Sequence, residues 1–152
     1  ININSYEGIA QIVSSKDRII SIRETFTKFQ EIIQKYNEAL KELPVQVLNH
    51  KDDEHISSGH LYLVRVNGIT EAVRNQIIVK MAEKGVACNV HYKPLPMLTA
   101  YKNLGFDIAD FPNAYAQYQN EITLPLYSKL TEEDVEYIIQ CFKESLEECK
   151  CC

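Results

Sequence analysis

The stretch Gly85-Val-Ala-Cys-Asn-Val-His-Tyr-Lys-Pro-Leu-Pro-Met-Leu-Thr-Ala-Tyr101 decides how this chain is expected to fold. Glycine often ends a helix, so a helix is expected to end at Gly85. The mostly apolar run Val86–Val90 that follows predicts a short strand. Pro94 and Pro96 fix their own φ angles and push the preceding residues out of the α region. The sequence therefore predicts a rigid, extended loop at a strand end, which presents His91, Tyr92 and Lys93.

Two interpretations of this loop are open at the level of residue types. His91 and Tyr92 can simply end a strand with their polar groups in water, which is common for such side chains. They can also face a ligand, because binding residues concentrate in loops that a rigid scaffold positions. Residue types alone favour the first interpretation.

The composition is that of an ordinary globular domain. The 152 residues suffice for one domain with a real core, and 45% are hydrophobic while 24% are charged. Sixteen basic and 21 acidic residues leave a formal charge of -5, which argues against a nucleic-acid partner. Neither a membrane-spanning apolar run nor a signal-peptide pattern is present in the sequence. We therefore expect a cytoplasmic protein with no membrane partner.

The five cysteines do not predict a disulfide framework, because their number is odd. Cys88 falls in the expected strand and Cys141 in a helix, while the others belong to a tail that we expect to be disordered over 149–152. The tail lacks the second ligand cluster that a zinc site requires. His50, His55 and His60 recur every five residues, a spacing that suits neither a helix face nor a strand face. No metal site is predicted.

The clearest helix is predicted between Ile19 and Leu40. Its apolar residues recur at alternating steps of three and four: Ile19, Ile22, Phe26, Phe29, Ile33, Tyr36 and Leu40. The helix should end before Pro44. The repeat covers only about three heptads, which is short for a coiled coil. A non-catalytic interaction module, which docks a partner or self-associates through helix 19–40, is nevertheless an alternative interpretation of the chain.

The second half of the chain alternates strand and helix patterns. His60–Val66 is the best strand, and Thr70 predicts the N-cap of a helix that Gly85 ends. The box Thr131-Glu-Glu-Asp134 predicts the start of a final helix. Shorter elements are predicted at Val45–Leu48, Pro112–Gln119 and Ile122–Leu124.

These elements predict an α+β fold of two layers. We expect a small sheet of three or four strands, mixed or antiparallel, with helices on one side and a long N-terminal linker helix. The strands His60–Val66 and Val86–Val90, with the helix between them, predict a βαβ-type unit. What covers the second face of the sheet is left open.

The order of motifs resembles the C-terminal small domain of the DegT/DnrJ/EryC1/StrS aminotransferases. These are pyridoxal-phosphate enzymes that aminate nucleotide-linked keto-sugars. The specific matches are His91-Tyr92-x-Pro94, Gly105 and Asn120–Tyr127, the last with its Leu-Pro-Leu core. Weaker matches are Gly8–Ile12, Tyr36–Leu40 and His60–Arg65, so the resemblance covers roughly residues 8–146.

The resemblance implies a small-domain fold of the pyridoxal-phosphate transferase type, with a linker helix region at 1–43 and the domain at 44–148. The family's large cofactor-binding domain is expected to be absent from this chain. It also implies that His91 and Tyr92 contact the sugar nucleotide, with Lys93 as a less certain substrate-binding neighbour. Pro96 stands where family members commonly have histidine, which puts the identity of the sugar in doubt.

The resemblance further implies an activity for the intact enzyme. That enzyme would move an amino group from an amino acid, with glutamate expected, to a nucleotide-linked keto-sugar in polysaccharide or cell-surface sugar biosynthesis, and it would act as a homodimer. The twelve lysines here lie outside any glycine-rich phosphate cradle, so no catalytic, cofactor-binding or metal-binding residue is expected. The isolated chain should be inactive and hold no pyridoxal phosphate.

Overall fold

The structure is a computed structural model that describes the backbone of residues 16–150 and the side chains of residues 22–149. Five helices and three strands follow one another in this part of the chain. In order they are α1 (Lys16–Leu40), β1 (Val45–Val47), β2 (Tyr62–Val66), α2 (Glu71–Glu83), α3 (Thr99–Lys102), α4 (Pro112–Tyr118), β3 (Glu121–Leu124) and α5 (Glu132–Lys150). Single 3₁₀ turns at Leu95–Met97 and Ile108–Asp110 flank α3.

The three strands form one antiparallel sheet in the order β1-β2-β3. In its register, Gln46 lies opposite Arg65, and Arg65 lies opposite Glu121. Leu63 lies opposite Thr123. Since directly opposed residues share a face, the register places these polar residues on one side of the sheet.

The other face of the sheet holds the core. Tyr62, Val64 and Val66 of β2 are buried, as the two-residue period of a strand predicts. They pack with residues of β3, α1, α2 and α5, which include Ile122, Leu124, Ile33, Tyr36, Leu40, Ile77, Met81, Val135, Ile138, Phe142 and Leu146. The predicted two-layer α+β fold, with helices on one sheet face, is confirmed.

The capping predictions are confirmed by hydrogen bonds. The Thr70 hydroxyl accepts from the Val73 N–H at 3.4 Å. In the capping box of α5, the Asp134 carboxylate accepts from the Thr131 N–H at 2.9 Å, and the Thr131 hydroxyl accepts from the Asp134 N–H at 3.1 Å. Gly85 ends α2 with a φ of 79°, which favours glycine.

The predicted strand Val86–Val90 is wrong. In this segment the structure has one isolated antiparallel bridge, between Asn89 and Thr123, so the predicted βαβ unit does not form. Val86 is buried in the core, and its N–H donates to the carbonyl of Met81. Its apolar character therefore reflects packing beneath the end of α2 and not a strand ladder.

The predicted tail begins too early at residue 149. Helix α5 continues to Lys150, and Cys149 is 8% exposed, because the apolar stripe of the helix extends that far. Residues 1–15, which include the match at Gly8–Ile12, and residues 151–152 lie outside the described part. Within that part, none of the helices combines the length and the apolar character needed to cross a bilayer.

Candidate functional site

The second face of the sheet carries a depression of about 190 Å³. Strands β1 and β2 form its floor, and α4 and the loop containing His91 form its walls. Its polar and aromatic lining consists of Gln46, Arg65, His91, Tyr92, Tyr118 and Glu121, with Gln117 beside them. The loop and α4 thus cover part of the sheet face that the sequence left unassigned.

His91 is held in place by two hydrogen bonds to β3. Its main-chain N–H donates to Oε2 of Glu121 at 2.9 Å, and its ring Nδ1 lies 2.9 Å from Oγ1 of Thr123. A cis peptide bond joins it to Tyr92, and the two rings meet edge to face with centroids 4.7 Å apart. The predicted loop therefore presents a half-buried, fixed imidazole.

The structure brings two of the three predicted substrate residues together. His91 and Tyr92 line the depression, and Tyr92 is 70% exposed. Lys93 is exposed and does not belong to the described lining. That these residues bind substrate stays a prediction.

Glu121 is a carboxylate buried beneath the His91 loop, with 5% exposure. Burial raises its pKa, while hydrogen bonds from Thr123 and from the His91 N–H, together with the charge of Arg74, oppose that rise. The Thr123 hydroxyl lies 2.5 Å from the carboxylate oxygen Oε1. Glu121 thus connects the loop to the strand.

Arg74 fixes the chain just before and at the start of β3. Its guanidinium is 1% exposed and donates to the carbonyls of Tyr118 and Glu121, each at 3.1 Å. The same group lies 4.8 Å from the centroid of the Tyr118 ring and 3.6 Å from the Glu71 carboxylate. The Tyr118 hydroxyl donates to Glu71 at 2.8 Å. The wall of the depression is therefore attached to α2.

Arg65 places a second guanidinium on the floor of the depression. It donates to the Gln46 side chain at 3.3 Å, to Asn120 at 3.3 Å and to the Ala116 carbonyl at 3.2 Å. The side chain is only half-buried. Because guanidinium groups bind phosphate and carboxylate oxygens in a fixed geometry, Arg65 can attract an anionic group of a ligand.

Sequence reasoning missed the residues that support His91. Arg65, Glu121 and Thr123 meet through the register of β2 and β3, which joins positions about 60 residues apart and leaves no local signal. The strand period could have placed Glu121 and Thr123 on one face, since they flank the apolar Ile122. Nothing in the sequence pointed to a buried Arg74.

Three chemically capable side chains outside the depression, Asp52, Cys88 and His50, have structural roles or environments. Asp52 accepts main-chain hydrogen bonds from Glu54 and His55, each at 2.9 Å, so it shapes its own loop. Burial raises the pKa of Cys88 to about 12, which disfavours the thiolate that a nucleophile requires. His50 is buried against the Tyr62 ring, with centroids 5.5 Å apart.

Among residues 22–149, the depression does not supply the lysine that pyridoxal phosphate, the cofactor implied by the resemblance, requires for covalent attachment. A Schiff-base lysine must lose its proton, yet no lysine lines the depression within residues 22–149. Elsewhere, hydrogen bonds to Glu132, Glu83 and Glu148 raise the pKa values of three half-buried lysines, Lys35, Lys80 and Lys84. These contacts favour the ammonium form.

Comparison with known proteins identifies one family of similar sequences and structures. A sequence profile described as the DegT/DnrJ/EryC1/StrS aminotransferase family matches residues 15–143. The Spore coat polysaccharide biosynthesis protein SpsC of Bacillus subtilis is 28% identical over 121 residues, which cover 76% of this chain and 30% of that protein.

Solved structures agree with the profile. The apo form of the Putative sugar aminotransferase Spr1654 from Streptococcus pneumoniae is similar with a TM-score of 0.84 and 44% identity, over 88% of this chain and 33% of that one. Helicobacter pylori PseC, an aminotransferase involved in the biosynthesis of pseudoaminic acid, has a TM-score of 0.74 and 27% identity, over 82% and 33% of the two chains. The chain spans about a third of the length of these relatives. Because the profile matches most of its residues, this chain belongs to the DegT/DnrJ/EryC1/StrS aminotransferase family.

Proposed function

We propose that this chain forms the substrate-facing part of a pyridoxal-phosphate aminotransferase. The enzyme would move an amino group from an amino acid, glutamate, to a nucleotide-linked keto-sugar in cell-surface polysaccharide biosynthesis. Family membership supports this proposal, as do relatives described as a sugar aminotransferase and a polysaccharide biosynthesis protein. Spr1654 has a PLP form. The cofactor would be anchored outside residues 22–149, whose lysines do not fit that task.

The observation that carries the proposal is the built depression on the sheet. Arg65 offers a cation for the diphosphate, and Tyr92 offers an exposed ring for the flat face of a base or sugar. His91 lines the same depression and is held by its hydrogen bonds to Glu121 and Thr123. Lys93, exposed beside them, would add positive charge near the diphosphate without lining the depression.

A titration of the ¹⁵N-labelled chain with UDP-glucose tests this assignment. We expect amide shifts concentrated at His91, Tyr92 and Arg65, and weaker binding by Tyr92→Ala. The matched control is Tyr127→Ala, which removes a 52% exposed tyrosine outside the depression and should bind like the parent chain. Shifts that cluster elsewhere, or equal losses in the two variants, would contradict the proposal.

A second function, self-association through helix 19–40, is favoured by one observation. The N-terminal half of α1 leaves apolar side chains uncovered, with Ile22 54% and Phe26 37% exposed. They line a groove of about 310 Å³ together with Thr25, Phe29 and Ser58. Among the described side chains, burial in the core begins only at Ile32.

Sedimentation equilibrium distinguishes the two functions. A dimer that Phe26→Asp abolishes, while the fold is kept, would identify this groove as an interface. The control is Val79→Asp, since Val79 of α2 is also exposed, at 55%. A chain that is monomeric at every concentration tested would exclude self-association.

A further inference from the structure

Glu121, Thr123 and His91 form a closed set of hydrogen bonds. The Glu121 carboxylate contacts the His91 main-chain N–H through Oε2 and the Thr123 hydroxyl through Oε1. The same hydroxyl oxygen lies 2.9 Å from Nδ1 of the His91 ring. Thr123 therefore stands between a carboxylate and an imidazole, and its single hydrogen can serve only one of them.

The short contact between the Thr123 hydroxyl and Glu121 indicates that the hydroxyl hydrogen lies in that bond. The 2.5 Å between the Thr123 hydroxyl and Oε1 is the length expected when a hydroxyl donates to an ionised carboxylate. Burial raises the pKa of Glu121, but the Thr123 hydroxyl, the His91 N–H on the second oxygen and the nearby charge of Arg74 oppose that rise and favour the ionised form. Since the hydroxyl donates to Glu121, its oxygen must accept from His91, and the ring hydrogen must lie on Nδ1.

We propose that Glu121, acting through Thr123, is a positioning residue that holds neutral His91 as the Nδ1–H tautomer and leaves Nε2 as a hydrogen-bond acceptor for substrate. A neutral imidazole carries one N–H, so the two ring nitrogens take opposite roles. The group that meets Nε2 must therefore be a donor, such as a sugar hydroxyl or a nucleobase N–H.

With this tautomer, His91 and Arg65 bind different kinds of ligand group. A neutral imidazole that presents a lone pair repels a phosphate oxygen, whereas the Arg65 guanidinium attracts one. The diphosphate would then lie toward Arg65, and a hydroxyl or N–H of the substrate toward His91. The identity of that substrate group rests on the proposed function, but the tautomer does not.

The ring ¹⁵N signals of the histidine-labelled chain measure the tautomer without any ligand. At about pH 9, where imidazoles are neutral, we expect Nδ1 of His91 to be of the protonated type and Nε2 of the unprotonated type. Thr123→Val removes the acceptor at nearly constant shape, so the ring should change to the Nε2–H tautomer. Thr27→Val, at an exposed position of α1, is the matched control and should leave His91 unchanged.

Glu121→Gln provides an independent test that keeps the shape of the side chain. If the carbonyl of the introduced amide accepts from the His91 N–H, the N–H₂ group of that amide faces Thr123 and donates to it. The Thr123 hydroxyl must then donate to Nδ1, and the tautomer should reverse. Parent His91 found as Nε2–H, or a tautomer that neither variant changes, would overturn the inference.

Ligand additions separate this inference from the proposed function. UDP-glucose should shift the Nε2 signal, whereas inorganic pyrophosphate should not. Equal shifts with both probes would overturn the assignment of a donor group at Nε2. A correct tautomer in a chain that UDP-glucose does not perturb would refute the proposed function and still support the positioning role of Glu121.

Discussion

The Arg74 guanidinium donates a 3.1 Å hydrogen bond to the main-chain carbonyl of Glu121, the residue whose carboxylate holds the His91 loop. Helix α2 thereby reaches the candidate site, although it contributes nothing to the described lining of the depression. The position of His91 therefore depends on a buried charge in a neighbouring element.

Arg74→Met should destabilise the fold by about 3 kcal/mol, because it removes the donor to the buried Glu121 carbonyl and to the half-buried Tyr118 carbonyl, and the cation beside Glu71. Urea denaturation measures the change. The matched control is Arg23→Met at an exposed position of α1, where we expect a change within about 0.5 kcal/mol. Equal stability of the two variants would show that Arg74 carries no structural role.

Buried His50 should make stability depend on pH. Burial lowers its pKa below the ordinary value of 6.5, so the unfolded chain binds the proton more tightly than the folded chain. Above pH 6.5, His50 is neutral in both states and does not reduce the free energy of unfolding. As the pH falls below 6.5, the unfolded chain takes up the proton first, and the free energy of unfolding decreases.

His50→Phe should remove this contribution and raise stability by about 1 kcal/mol at neutral pH. It keeps a ring against Tyr62 and deletes two ring nitrogens that have no hydrogen-bond partner among the side chains and main chain that the structure describes. Chemical denaturation over a pH series measures it, with His60→Phe, at an exposed position, as the control. A pH dependence unchanged by His50→Phe would contradict the assignment.

The capping box of α5 offers a local test. Thr131→Ala should cost about 1 kcal/mol, because it removes the acceptor of the Asp134 N–H. Thr131→Ser keeps the oxygen and should restore most of the loss. Thermal or urea unfolding measures both, and a serine variant as unstable as the alanine variant would count against the capping role.

Local patterns predicted the helices and caps well, for a physical reason. The apolar stripe from Val135 to Leu146 and the capping box at Thr131 depend on residues only a few positions apart. A short segment of sequence therefore suffices to predict the helix and its start. The predicted strand at Val86–Val90 was wrong because a short, mostly apolar run looks the same whether it pairs in a ladder or packs beneath a helix end. Within Val86–Val90, only Asn89 pairs with a strand residue, Thr123 of β3.

The site was predictable only in part. The prolines near His91 indicated a rigid loop, and the resemblance named His91 and Tyr92. The residues that surround and hold them, Arg65, Thr123 and Glu121, come together through the pairing of β2 with β3. That register could not be read from this sequence alone.

Incubation with pyridoxal phosphate, followed by borohydride reduction and mass spectrometry, tests the central claim most directly. The claim is that residues 22–149 contact the substrate, whereas the cofactor is attached to a lysine outside this range. The account predicts weak, scattered labelling of exposed lysines, well below one adduct per chain. One stoichiometric adduct on a single lysine within residues 22–149 would contradict it.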